Sequence, residues 1–166
     1  MSLYHVAVPT FKRTLTNLAA ILAKAEKFAE ARNIDPAVLL NARLAPDMFP
    51  LTRQVQIATD SARRGSGQLA EVDVPVVEDS EDSFEALQQR IARTIAYLDE
   101  FSAAQFENAE SRTIELPLPN GALALDGTTF LMGFAMSNFF FHVVTAYNIL
   151  RHNGIEIGKM DFLGAA

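Results

Sequence analysis

Two polar side chains interrupt a very apolar run near the C-terminal end, Asn138 and His142 in Asn138-Phe139-Phe140-Phe141-His142. Four residues apart, they share one face of a helix. An imidazole in such a setting must find a partner. Two readings follow. In one, His142 is a catalytic base or a metal ligand, because side chains at i and i+4 can grip one ion. In the other, the two groups form a buried hydrogen-bonded pair that fixes helix register. Thr145, three residues on, lies on the same face, whereas Tyr147 does not. Gln56 and Asp60 are also four apart, on an earlier helix, and would face the same cavity if the two helices pack together. Gln54 reads as surface. Asp47, between Pro46 and Pro50, either caps the helix that follows or points into the mouth of the bundle. Arg151 and His152 suit the C-terminal end of a helix dipole. His5 lies near the chain start, away from these groups.

Four long helices must position these residues. The first is predicted from Thr10 to Arg32, capped by Thr10, with Phe11, Leu15, Leu18, Leu22, Ala25 and Ala29 on one stripe. Asp35-Pro36 opens a short helix to Asn41, and a proline-flanked connector leads to Leu51. The second long helix is predicted over 51–64, with Leu51, Val55, Ala58 and Ala62 inward and Gly65-Ser66-Gly67 as its stop. Residues 68–80 read as a loop with an acidic end. Asp82 and Glu85 resemble a capping box for the third helix, which runs to Phe101 with Phe84, Leu87, Ile91, Ile95 and Leu98 inward. Thr113 to Leu118, a Pro119-Asn120-Gly121 turn and Ala122 to Leu125 read as a hairpin, with Pro117 marking an edge. The fourth helix is predicted from Thr129 to His152, ended by Asn153-Gly154. The tail, 155–166, drapes over the bundle. The fold class is therefore all-α, a single domain over 1–166, with a small hairpin between the third and fourth long helices.

Composition narrows the function. The chain has 166 residues, 49% of them apolar, and no cysteine, which removes thiolate nucleophiles and thiolate metal sites and fits a cytoplasmic location. The net charge of -6 and the lack of a basic stripe argue against nucleic acid; Lys12-Arg13 and Arg63-Arg64 read as solvated surface. The stretch from Thr128 to Leu150 has no Asp, Glu, Lys or Arg and is long enough to span a bilayer. Its Ser137, Asn138, His142, Thr145 and Asn148 favour a buried bundle helix that also lines a dimer interface. Phosphate-binding loops, dinucleotide fingerprints, zinc-protease pairs and nucleophile elbows are missing.

The stretch from Arg43 to Asp60, Arg-Leu-Ala-Pro-Asp-Met-Phe-Pro-Leu-Thr-Arg-Gln-Val-Gln-Ile-Ala-Thr-Asp, carries a resemblance, together with Phe139 to Gly154 and Gly158-Lys-Met-Asp-Phe-Leu163. These segments resemble the DUF1993 family, within the DinB/YfiT-like superfamily of four-helix bundles. The resemblance implies an up-down-down-up bundle, often dimeric. In metal-binding members it implies three histidines around a divalent ion, nickel or zinc, one on the second long helix and two four apart on the last. Some members are thiol-dependent transferases, and others are hydrolases or isomerases. Carried over, the triad falls near Gln56, on Asn138 and on His142, so one histidine of three is present, and neutral amides are poor ligands for such ions.

The expectation is a bundle protein with a polar pocket around His142 that takes a small molecule, as a homodimer without nucleic acid or membrane. Its alternative is a metal-dependent transferase or hydrolase of the DinB type, with His142 as base or sole imidazole ligand.

Overall fold

The computed structural model describes residues 2–118 and 121–164. The chain is mostly helical, with one small two-stranded antiparallel hairpin. Its elements are α1 (Leu3–Ala31), α2 (Pro36–Leu40), α3 (Leu51–Ala70), α4 (Phe84–Asp99), β1 (Thr113–Leu118), β2 (Gly121–Asp126), α5 (Gly127–His152) and α6 (Lys159–Leu163). Two short 3-10 turns, Ala103–Phe106 and Ala109–Ser111, link α4 to the hairpin. α3 packs against α1, α4 and α5, and α1 also contacts α4, α5 and α6.

The predicted stripes of the first two long helices are buried. Phe11, Leu15, Leu18, Leu22, Ala25 and Ala29 face Leu51, Val55, Ala58 and Ala62 in one core. On α4, Phe84, Leu87, Ile91 and Leu98 join them, while Ile95 is half-buried.

Several boundaries differ from expectation. α1 begins at Leu3, capped by Ser2, and runs through Pro9. An internal proline costs about 3 kcal/mol. Extending the stripe upstream buries Leu3, Ala7 and Val8, and each large aliphatic side chain is worth about 1.5–3 kcal/mol; burial outweighs the lost hydrogen bond.

α3 does not stop at Gly65-Ser66-Gly67 but continues to Ala70, ending at Glu71 in the left-handed region with φ 55°. The glycines are there for close approach. A Cβ on Gly65 would lie 3.1 Å from the Ala135 Cβ of α5, and one on Gly67 would lie 2.2 Å from a Val74 methyl. α4 is capped by Ser83, whose hydroxyl accepts from the Ala86 amide at 3.2 Å, and not by Asp82; the helix ends at Asp99.

The hairpin pairs Thr113 with Asp126 and Pro117 with Ala122. Residues 119 and 120 of the predicted turn lie outside the described residues; Gly121 opens β2 with φ 140°. α5 is one helical run whose Phe130–Ala135 stretch is π-helical. By length and composition it could cross a membrane, yet Phe139, Val143, Ala146, Ile149 and Leu150 are buried in the core. In the tail, Ile155 and Ile157 are buried, and α6 lies on α1 through a hydrogen bond from the Asn17 amide to the Phe162 carbonyl and a Lys24–Asp161 ion pair.

Candidate functional site

The contact between α3 and α5 carries two polar rungs. In the first, the His142 ring Nδ1 lies 2.7 Å from Gln54 Oε1. Gln54 Nε2 donates to the Phe49 carbonyl at 2.9 Å. That bond turns Oε1 toward the ring, so Nδ1 carries the proton and Nε2 keeps the lone pair. Burial, with the Arg53 charge nearby, holds the His142 pKa below its ordinary value. The imidazole is therefore neutral near pH 7. In the second rung, the Asn138 amide donates to Ser61 Oγ at 2.8 Å, and Ser61 donates to the Ile57 carbonyl.

Gln54 is buried, not surface as its sequence context suggests. It faces His142 where the resemblance had pointed near Gln56. Gln56, two residues on, turns to the other side of α3 and donates to Glu81 Oε2 at 2.9 Å. Thr145 donates to the Phe141 carbonyl of its own helix, and Tyr147 packs edge-on against Phe162. Asp47 is exposed on the connector, and α3, with Pro50 in the cap position before Leu51, has no side-chain cap. The capping role expected of Asp47 is thus not taken up.

Asp60 belongs to a second polar system, centred on a residue that the sequence reading missed. Arg90 of α4 is 2% exposed. Its guanidinium donates to Thr59 Oγ1 at 2.8 Å, to the Glu78 carbonyl at 3.1 Å, to Glu81 at 3.1 Å and to Asp60 Oδ1 at 2.9 Å, with Asp79 at 3.0 Å. Arg63, expected on the surface, is buried; it also donates to Asp60 Oδ1 at 2.9 Å and to the Pro75 carbonyl at 2.7 Å. Arg53 pairs with Asp79. These bonds strap residues 72–83 across α3 and α4. Arg90 and Thr94 sit on the apolar stripe between Leu87 and Leu98, and the Glu78-Asp79-Ser80-Glu81-Asp82 run supplies the counter-charges. That spacing was the available signal.

Between α3, α5, the hairpin and the strap lies a cleft of about 620 Å³. Arg53, Ile57, Ser61, Arg64 and Gln68, at three- and four-residue steps along α3, form one wall with Asp60. Phe130, Phe134, Ala135 and Asn138 of α5 form another, Leu116, Pro117 and Leu123 come from the hairpin, and Val76, Val77 and Asp79 come from the strap. The Phe130 and Phe134 rings stack with centroids 6.0 Å apart. Both lie in the π-helical stretch; π-bulges often occur at functional sites. The cleft thus gathers Asp60 and Asn138 from the predicted set, and leaves out Asp47, Gln56, His142 and Thr145.

The sequence model of the DUF1993 family, a domain of unknown function, matches residues 3–163. The chain belongs to the DUF1993 family. The DUF1993 chain is also similar to a crystal structure of a DinB family member protein from Shewanella denitrificans, at 47% identity and a TM-score of 0.92, over 99% of this chain and 93% of that one. No curated protein matches. The family's fold is DinB-like, and the donor chemistry at the α3–α5 contact can be tested against the metal that the superfamily implies. Gln54 Oε1 is committed to the His142 proton, while the Asn138 amide nitrogen donates to Ser61 and His142 Nε2 keeps its lone pair. One imidazole and two neutral amides do not fit nickel or zinc. Among the described residues, no three His, Asp or Glu side chains converge on a point that could hold an ion.

Proposed function

We propose that this DinB-type four-helix bundle is a small-molecule-binding protein whose site is the cleft between α3, α5, the hairpin and the strap. The observation that carries the reading is the lining. Ligand sites are clefts of roughly 300–1,000 Å³, mainly apolar with a few placed polar groups. Here Ile57, Leu116, Leu123, Phe130 and Phe134 supply apolar surface, and Asn138, Ser61, Asp60, Arg53 and Arg64 supply the polar groups. His142, one turn beyond Asn138, serves on this reading as a neutral register-fixing partner of Gln54, and the polar pocket expected around it moves along α5 to Asn138.

The metal-dependent transferase or hydrolase reading is weaker, because the α3–α5 contact offers a single imidazole and otherwise only neutral amides, which are poor ligands for nickel or zinc. The protein is proposed to work in the cytoplasm, as the absence of cysteine suggests. A homodimer is proposed through the outer face of α5, where Phe141 is 57% exposed and Val144, three residues on, is 40% exposed.

The test is a saturation-transfer NMR screen of small organic acids, alcohols and amines against the metal-free protein, repeated on Ile57→Trp, which fills the cleft. Hits that disappear in the variant support the reading, provided its circular dichroism matches wild type. Hits indifferent to Ile57→Trp, or binding only after nickel or zinc is added, would overturn it.

A further inference from the structure

The charged side chains that line the cleft, Arg53, Asp60, Arg64 and Asp79, are not equally engaged. With the residues behind them, five arginines (Arg53, Arg63, Arg64, Arg90 and, distantly, Arg93) meet three carboxylates, Asp60, Asp79 and Glu81. The carboxylates are already assigned. Asp60 Oδ1 takes Arg63 and Arg90 at 2.9 Å each, Asp79 takes Arg53 and Arg90, and Glu81 takes Arg90 and the Gln56 amide. Arg64 is left with a distant approach to Asp60 Oδ2 at 3.7 Å, and its side chain is 64% exposed. The least engaged of the cleft's cations therefore stands at its rim, in a chain whose net charge is -6. Beside it on α3 is Gln68, and the apolar surface of Phe130, Phe134, Leu116 and Leu123 lies across the same cleft.

Resting on the reading of this cleft as a small-molecule site, we infer that its ligand class is an amphipathic monoanion, a carboxylate on an apolar body. The carboxylate pairs with the Arg64 guanidinium, which can offer two parallel N–H donors. The alkyl or aryl body lies on the stacked Phe130–Phe134 pair and the hairpin leucines. A neutral amphipath of the same length gains the apolar contact alone. A cationic one meets the Arg64 guanidinium and is repelled. Arg53 is less suited to this role, because its pairing with Asp79 holds the strap.

Isothermal titration with octanoate, octanol and octylammonium tests the assignment directly. Wild type should bind octanoate about tenfold more tightly than octanol, the size of one charge-assisted hydrogen bond, and octylammonium most weakly. Arg64→Gln, at an exposed position that leaves the core intact, should bring octanoate down to the octanol level without changing octanol. Arg64→Glu should reverse the order and favour octylammonium. If octanol binds wild type as well as octanoate does, or Arg64→Gln leaves the octanoate preference standing, the anion assignment falls and the small-molecule cleft survives. If none of the three binds, the cleft reading falls with it.

Discussion

Replacing Arg90 with methionine removes one side chain that holds two carboxylates of α3 and the strap, reaches a third, and touches a threonine hydroxyl and a backbone carbonyl. The consequences differ by partner. Asp60 retains Arg63 at 2.9 Å, and Asp79 retains Arg53. Glu81, whose side chain is 4% exposed, keeps only the Gln56 amide and a distant Arg93 at 4.0 Å. The variant thus strands one buried carboxylate. Removing one partner of a buried ion pair costs about 3–5 kcal/mol. With a urea dependence of about 1–3 kcal/mol per molar, the unfolding midpoint should fall by about 2 M. Because the loss comes from the stranded charge, Arg90→Met with Glu81→Gln should recover about 1–3 kcal/mol of it. Native-state proteolysis should also cut the strap within residues 72–83 faster in Arg90→Met than in wild type. A loss below about 1 kcal/mol, or a double variant no more stable than the single one, would refute the idea that Arg90 is the buried anchor of the strap.

Other outcomes follow from single contacts. The native His142 pKa is lowered by burial and by Arg53, so the unfolded chain binds this proton more readily. The stability it confers is fully present above about pH 6.5 and is lost as pH falls from there toward the native value. Denaturation of His142→Gln should lack that part of the acid-side loss; parallel pH profiles would contradict the assignment. Gly127→Ala should destabilise by about 1–3 kcal/mol, since the added Cβ would fall 1.8 Å from the Ala109 carbonyl oxygen; thermal melts comparable to wild type would show that the chain yields there. Light scattering should find a dimer in wild type and a monomer in Phe141→Glu, and a wild-type monomer at high concentration would remove the α5 interface.

The helices were legible because their apolar stripes are long and periodic, and Phe11 to Ala29 and Leu51 to Ala62 lie in the core as read. Their ends were less so. Pro9 and the Gly65–Gly67 segment are local breakers, and each is overridden by a tertiary contact that no window of sequence contains: upstream burial for one, the Ala135 and Val74 approaches for the other. The site was legible in part. The i, i+4 spacing correctly paired Asn138 with His142 on one face, but partners on α3 depend on helix rotation, which chose Gln54 and Ser61. Arg63 and Arg90 were hidden because arginine is read as surface by default, and their carboxylates come from a strap 72–83 whose path is set only in three dimensions.

The central claim, that the cleft is where the protein meets its ligand, is tested most directly by amide chemical-shift mapping with octanoate on labelled protein. Perturbations should concentrate at Ile57, Ser61, Arg64, Gly65, Leu116, Leu123 and Phe134. Perturbations centred instead on the outer groove of Lys24, Phe28 and Ile155, or spread with no focus at saturating octanoate, would contradict it.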